Sequence, residues 1–211
     1  MITDLGPIST DVIEETQTIV KANRDNWTHI SEHWPNSFNS PLYFYGSPVY
    51  ACGPRHWEYY TEHRERSATV LKNLRLLSIT MRLLADHYQL PVEQLPDTSL
   101  PGFHIFNGKS KQFTGDYHVD SDYMNRFPKC GYSFTDFYSF TIPLELPSNG
   151  GGLDYRRGLP VYHYPYTVGH AYIWKSNIFH RIADVNMMDD EYRMTYQGHF
   201  ILQPDKLLYY W

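Results

Sequence analysis

Cysteine is scarce: Cys52 and Cys130 are the only two in 211 residues. One pair makes neither a disulfide framework nor a zinc module, so both kinds of small scaffold are excluded and a reducing compartment is expected. Long apolar runs are also missing. No stretch approaches the length of a bilayer span, and the first residues, Met-Ile-Thr-Asp-Leu-Gly-Pro, lack the basic and apolar segments of a secretory signal. The expectation is a cytoplasmic protein with no membrane partner. Charge of one sign is never concentrated: the formal net charge is -5 and Lys and Arg do not cluster, which disfavours a nucleic-acid partner. Low-complexity tracts and internal repeats are absent as well.

Aromatic side chains, in contrast, are abundant. They make up 17% of the chain, with 19 Tyr, and favour a β-rich body with aromatic-lined pockets. The length suits a single domain over residues 1–211. Its first hundred residues read as helical cladding. Asp11 with Glu14 resembles an N-terminal cap, and Ile13, Val20 and Trp27 recur seven apart, so a helix is expected over 11–33. Pro35 to Pro41 break it, and 42–50 reads as an aromatic extended piece. Pro54 would open a second, long helix whose stripe is Val70, Leu74, Leu77, Met81, Leu84 and Tyr88, ending at Leu90-Pro91. From residue 100 the period changes. Strands are expected over 103–107, 117–120, 134–144, 153–156, 161–164, 170–174, 178–184 and 192–201, a density that fits a double-sheet jelly roll or barrel over 101–203.

The stretch with most chemistry is 113–123, Phe-Thr-Gly-Asp-Tyr-His-Val-Asp-Ser-Asp-Tyr. His118 and Asp120 stand two apart, so on an extended chain both leave from one face and form a chelating pair. One more histidine would complete the two-His, one-carboxylate face of non-haem Fe(II) oxygenases. His180, in an apolar strand where an imidazole needs a partner, is the best candidate; His170 and His199 are the alternatives. Further on, Arg193 and Thr195 share a strand face and together could grip a carboxylate. His104 on the preceding strand and His163 are read as structural or as pocket lining. His29, His33, His56, His63 and His87 fall in expected helices and are read as structural.

With His-Val-Asp at 118–120, Gly-Gly-Leu-Asp-Tyr at 151–155, Gly169 through His180, and Arg-Met-Thr at 193–195, the chain resembles the Fe(II)/2-oxoglutarate-dependent dioxygenases of the double-stranded β-helix fold. The resemblance covers about 101–203. It implies an α+β fold with a mainly β core, with N-terminal helices packed on the larger sheet. It further implies Fe(II) on His118, Asp120 and His180, and the cosubstrate 2-oxoglutarate paired with Arg193 and Thr195. O2 would be the oxidant, with succinate and CO2 released on hydroxylation or a related oxidation. Asp120 argues against the halogenase branch, where a small residue replaces the carboxylate. Gly198-His199 stands where the base-repair branch carries a second arginine. A small-molecule substrate, an amino acid or natural-product intermediate, is expected, with Tyr117, Asp122, Tyr123 and Tyr155 near the mouth and 123–132 as a candidate lid. Two other readings stay open: a non-haem iron oxidase that does not use 2-oxoglutarate, and a jelly-roll ligand-binding protein without catalysis.

Overall fold

The structure is a computed structural model describing residues 1–32, 34, 36, 40–50, 60, 64, 65, 68–108, 112–120, 133 and 136–211. In chain order these form β1 (Thr3–Pro7), α1 (Thr10–Ala22), β2 (Thr28–His29), β3 (Leu42–Tyr45), α2 (Arg75–Tyr88), β4 (Val92–Gln94), β5 (Gly102–Asn107) and β6 (Gln112–Phe113). Then come β7 (Phe137–Glu145), β8 (Asn149–Gly150), β9 (Leu153–Arg156), β10 (Val161–Tyr164), β11 (His170–Lys175), β12 (Phe179–Ile182), β13 (Val185–Asn186), β14 (Tyr192–Leu202) and β15 (Leu207–Tyr210).

The long strand β14 is the axis of the molecule. One edge of it pairs with β7; the other pairs with β5 over Tyr192–Gln197 and then with β15 over His199–Leu202. The large sheet runs β1-β11-β7-β14-β5-β3-β2, with β4 beside β15. Side chains alternate across it. Met194, Tyr196 and Phe200 of β14 join Ile13 and Val20 of α1 and Leu76, Leu77 and Leu84 of α2 in one core. Arg193, Thr195, Gln197 and His199 leave from the opposite face. Two three-stranded sheets, β10-β9-β12 and β6-β13-β8, cover that second face. Leu153 of β9 packs against Tyr172 and Trp174 of β11, and Val185 of β13 packs against Phe106 of β5. The protein is thus a mainly β sandwich of jelly-roll type, with its helices on the outside of the large sheet. Among the described residues no helix is long and apolar enough to cross a membrane.

Several elements differ from the sequence expectation. The first helix stops at Ala22, not His33: Asn23 caps it, its side-chain amide donating to the Ile19 carbonyl at 2.8 Å. Trp27 meets Val20 because the chain turns back, its indole N–H donating to the Val20 carbonyl at 3.1 Å, and His29 lies in β2. The cap is Ser9; Asp11 sits in the first turn, where Arg75 donates to it at 3.1 Å. The second helix is interrupted. Residues 68–71 are helical, 72–73 turn with Asn73 donating to the Thr69 carbonyl, and α2 begins at Arg75. The apolar stripe survives that break: Leu74, Leu77 and Leu84 are buried in the core and Val70, Met81 and Tyr88 pack against it. Pro54, the expected start, lies outside the described residues.

Helical cladding is therefore an incomplete account of the first hundred residues, since β1, β2, β3 and β4 all join the large sheet. The β1 sequence Thr-Asp-Leu-Gly-Pro is poor in strand formers and is tolerated because it is an edge. β15 likewise extends the sheet past residue 203. The expected strand at 117–120 is a single bridge, His118 to His180.

Candidate metal centre

That bridge brings the candidate metal ligands together. His118 N–H donates to the His180 carbonyl and His180 N–H to the His118 carbonyl, both at 2.9 Å, so the two imidazoles leave side by side with ring centroids 4.5 Å apart. Asp120 follows two residues on, anchored by its N–H to the Ser176 carbonyl at 2.9 Å in the turn between β11 and β12. Asp120 Oδ1 lies 3.5 Å from His118 Nε2, and its Oδ2 lies 3.5 Å from His180 Nε2. The three donor atoms fall within 4.8 Å of one another. Donors about 2.1 Å from one ion and at right angles stand about 3 Å apart, so this grouping is close to a facial set.

Local hydrogen bonds prepare the donors. His118 Nδ1 donates to the Asp116 carbonyl and His180 Nδ1 to the Ile178 carbonyl, each at 2.8 Å, which leaves both Nε2 lone pairs turned toward Asp120. Burial lowers the His180 pKa against the pull of Asp120, so its neutral, ligating form prevails at neutral pH. For Asp120 burial acts the other way, but the positive potential of His180, His199 and His118 and the Ser139 hydroxyl outweigh it and hold the carboxyl below its ordinary value. Two imidazole nitrogens and one carboxylate suit a divalent first-row ion such as Fe(II). The His118 side chain is 53% exposed while that of His180 is 5%, so among the described residues the centre opens on the His118 side.

Arg193 lies on the inner face of β14, 3% exposed, with its guanidinium 5.7 Å from the Phe106 ring centroid. Its Nε donates to the Gly151 carbonyl at 3.1 Å, and it makes no ion pair among the described residues. Burial lowers its pKa to about 10. Gly151 presents that carbonyl at φ +90°, and a Cβ on Gly152 would stand 2.5 Å from the Tyr164 carbonyl oxygen, which explains why Gly-Gly precedes β9. A buried guanidinium that meets no carboxylate among the described residues has donors that would suit an anion, and a dicarboxylate such as 2-oxoglutarate has the matching chemistry. Thr195, fully buried two residues on, has its hydroxyl 3.4 Å from Gln197 Oε1.

The remaining expectations divide. Tyr155 sits beside His180 in strand register and stacks on Tyr162, with centroids 5.4 Å apart. Tyr117, adjacent to His118, does not join the cluster: its ring stacks on Phe179 and is flanked by the guanidinium groups of Arg156 at 4.2 Å and Arg181 at 4.8 Å. The alternation that aligns His118 with Asp120 already implies this. Asp122, Tyr123 and the candidate lid at 123–132 lie outside the described residues, as do His33, His56 and His63. His170 Nδ1 lies 2.9 Å from Asp4 at the sheet edge, and His163 Nδ1 lies 2.9 Å from Asp154, so neither joins the centre.

Further residues at the site went unnoticed in the sequence. Ser139 and Ser176 stand behind Asp120, as does His199, an alternative ligand there. Tyr166 stacks on Tyr172, and its phenol interacts electrostatically with Arg193 and Asp120. His104 is held by Gln197 and Tyr50. Ser139, Gln197 and His199 were findable as polar alternation in apolar strands; Tyr166 and Ser176 lie in turns, where no period points inward.

This sandwich has the fold of the Fe(II)- and 2-oxoglutarate-dependent oxygenases. No family model and no curated protein matches the sequence, so the likeness is structural. An N-substituted L-amino acid dioxygenase from Burkholderia ambifaria is similar with a TM-score of 0.55 and 12% identity, over 86% of this chain and 81% of that one. A prolyl hydroxylase from Trichoplax adhaerens, solved with a hypoxia inducible factor peptide, gives 0.52 and 10% identity over 100% and 82%. An oxidoreductase of the 2OG-Fe(II) oxygenase family from Burkholderia pseudomallei aligns over 63% of this chain and 55% of that one, with a TM-score of 0.43 and 16% identity.

Proposed function

We propose that this chain is an Fe(II)- and 2-oxoglutarate-dependent oxygenase with a double-stranded β-helix core, forming one domain over 1–211 and oxidising a C–H bond of a small molecule such as an amino acid or natural-product intermediate. The observation that carries the reading is the pairing of a His118, Asp120 and His180 cluster with a buried Arg193 that makes no ion pair among the described residues. A bound Fe(II) with 2-oxoglutarate and O2 supplies the oxidising chemistry, with release of succinate and CO2. His118, Asp120 and His180 would hold the metal, and Arg193 with Thr195 would hold the far carboxylate of the cosubstrate. The low-dielectric pocket around Arg193 strengthens that grip and keeps water away. Tyr155, next to His180 and stacked on Tyr162, lies where a substrate surface would be placed. Asp122 and Tyr123 are proposed for the same substrate surface.

An oxidase that does without 2-oxoglutarate leaves the buried Arg193 unexplained, and a binding module leaves the ligand cluster unexplained. The test is anaerobic loading with Fe(II), addition of 2-oxoglutarate and O2 with panels of candidate substrates, and measurement of succinate. Substrate-dependent succinate that disappears in His180→Ala is the expected result. Succinate no higher than in enzyme-free controls across the panels would overturn the reading.

A further inference from the structure

One carboxylate oxygen of Asp120 is held by a chain of donors reaching it from three elements. Ser139, in the middle of β7, donates its hydroxyl to Asp120 Oδ2. The same Ser139 Oγ lies 2.9 Å from Ser176 Oγ and 3.1 Å from His199 Nδ1. An ionised carboxylate only accepts, and a serine hydroxyl has one proton and two acceptor lone pairs. Once that proton is committed to Asp120, Ser176 and His199 can approach Ser139 only as donors. The order of donation is then fixed: Ser176 and His199 to Ser139, and Ser139 to Asp120, with the His199 proton on Nδ1. Ser139, Ser176 and His199 are 2%, 0% and 9% exposed, so water does not compete for these bonds.

We propose that Ser139, loaded by Ser176 and His199, is a positioning residue that fixes the orientation of the Asp120 carboxylate as a ligand, with each of its oxygens 3.5 Å from one imidazole Nε2. The inference rests on the metal reading above. A carboxylate free to rotate must give up that freedom when it binds a cation, whereas one already held by its neighbours does not. Hydrogen bonds to an ionised oxygen are roughly twice as strong as neutral ones, and successive donors polarise one another, so rotating the carboxylate away from the two imidazoles means breaking the chain. His199 then takes part in the centre without being a ligand.

The experiment titrates the metal-free full chain with Mn(II), reading free ion by electron paramagnetic resonance, for wild type, Ser139→Ala, Ser139→Thr, His199→Phe, the Ser139→Ala/His199→Phe double variant and His118→Ala. Ser139→Ala should weaken Mn(II) binding by about 10–100-fold. Ser139→Thr, which keeps the hydroxyl, should recover most of the loss. The double variant should bind no worse than Ser139→Ala alone, because both changes cut one chain. The Co(II)-loaded protein should change its visible d–d absorption in Ser139→Ala while the melting temperature of the metal-free protein stays within a few degrees of wild type. Wild-type affinity in Ser139→Ala, with binding lost in His118→Ala, would overturn this inference alone. So would an affinity loss that tracks a fall in metal-free stability and is not recovered by threonine. A wild-type protein that binds no Mn(II) would overturn the metal reading, and this inference with it.

Discussion

The Arg193 guanidinium, stripped of water against Phe106 and with one hydrogen bond, to a backbone carbonyl, among the described residues, costs free energy until an anion joins it. That imbalance is the physical sign of a binding site at the residue scale, and it predicts how stability responds to ligand. With Mn(II) present, 2-oxoglutarate at about 100 times its dissociation constant should stabilise the wild type by about 2.7 kcal/mol. In Arg193→Met that stabilisation should vanish, while the ligand-free variant should be at least as stable as wild type, since a buried cation with no ion pair among the described residues has been replaced by an apolar chain of similar length. Scanning calorimetry with and without 2-oxoglutarate checks both statements; an unchanged ligand shift in Arg193→Met would remove Arg193 from the cosubstrate site. The same scale shows what the sequence concealed. Tyr117 next to His118 looked like a pocket residue because proximity along the chain was weighed above alternation, yet the side chain lies between Arg156 and Arg181.

At the scale of elements, α2 illustrates how far a period can be read. The stripe from Val70 to Tyr88 identified the buried face correctly because tertiary burial rewards spacing whether or not the helix is continuous. Its interruption at 72–73 was not legible, because Asn73 competes for backbone hydrogen bonds by a purely local effect that a count of apolar positions ignores. The end of α2 is also local: Gln89 adopts the left-handed conformation at φ 56° as the helix closes onto the Ala85 carbonyl. A non-glycine residue pays roughly 1 kcal/mol in that conformation. Gln89→Gly should therefore raise unfolding stability by about 1 kcal/mol, less whatever the Gln89 bond to the Asp86 carbonyl contributes. Urea denaturation gives the value, and a destabilised variant would show that this bond outweighs the backbone strain.

For the whole molecule, helices and sheet share one core. Residues of α1, α2, β5, β7, β11 and β14 belong to one cluster, so among the described residues no part of the helical layer has an apolar interior of its own. Unfolding should accordingly be a single cooperative event. Far-ultraviolet circular dichroism, which follows both helix and sheet, and tryptophan fluorescence should give coincident urea transitions. Two separated transitions would instead divide the chain into independently stable units and defeat the reading of one domain over 1–211.

The sequence by itself determined the alternation of β14 that puts Arg193 and Thr195 on one side and Met194 and Tyr196 on the other. It also determined the pairing of His118 with Asp120 and the strand cores of the second half, because a period of two survives whatever the partner strands are. Only the tertiary structure decided that β1 and β3 belong to the sheet, that His180 and not His170 or His199 lies beside His118 and Asp120, and that Ser139 and Ser176 stand behind Asp120. Those facts depend on which strand lies beside which and where a turn directs its side chains. Both are set by packing between residues far apart in the chain, on which a local pattern carries no information.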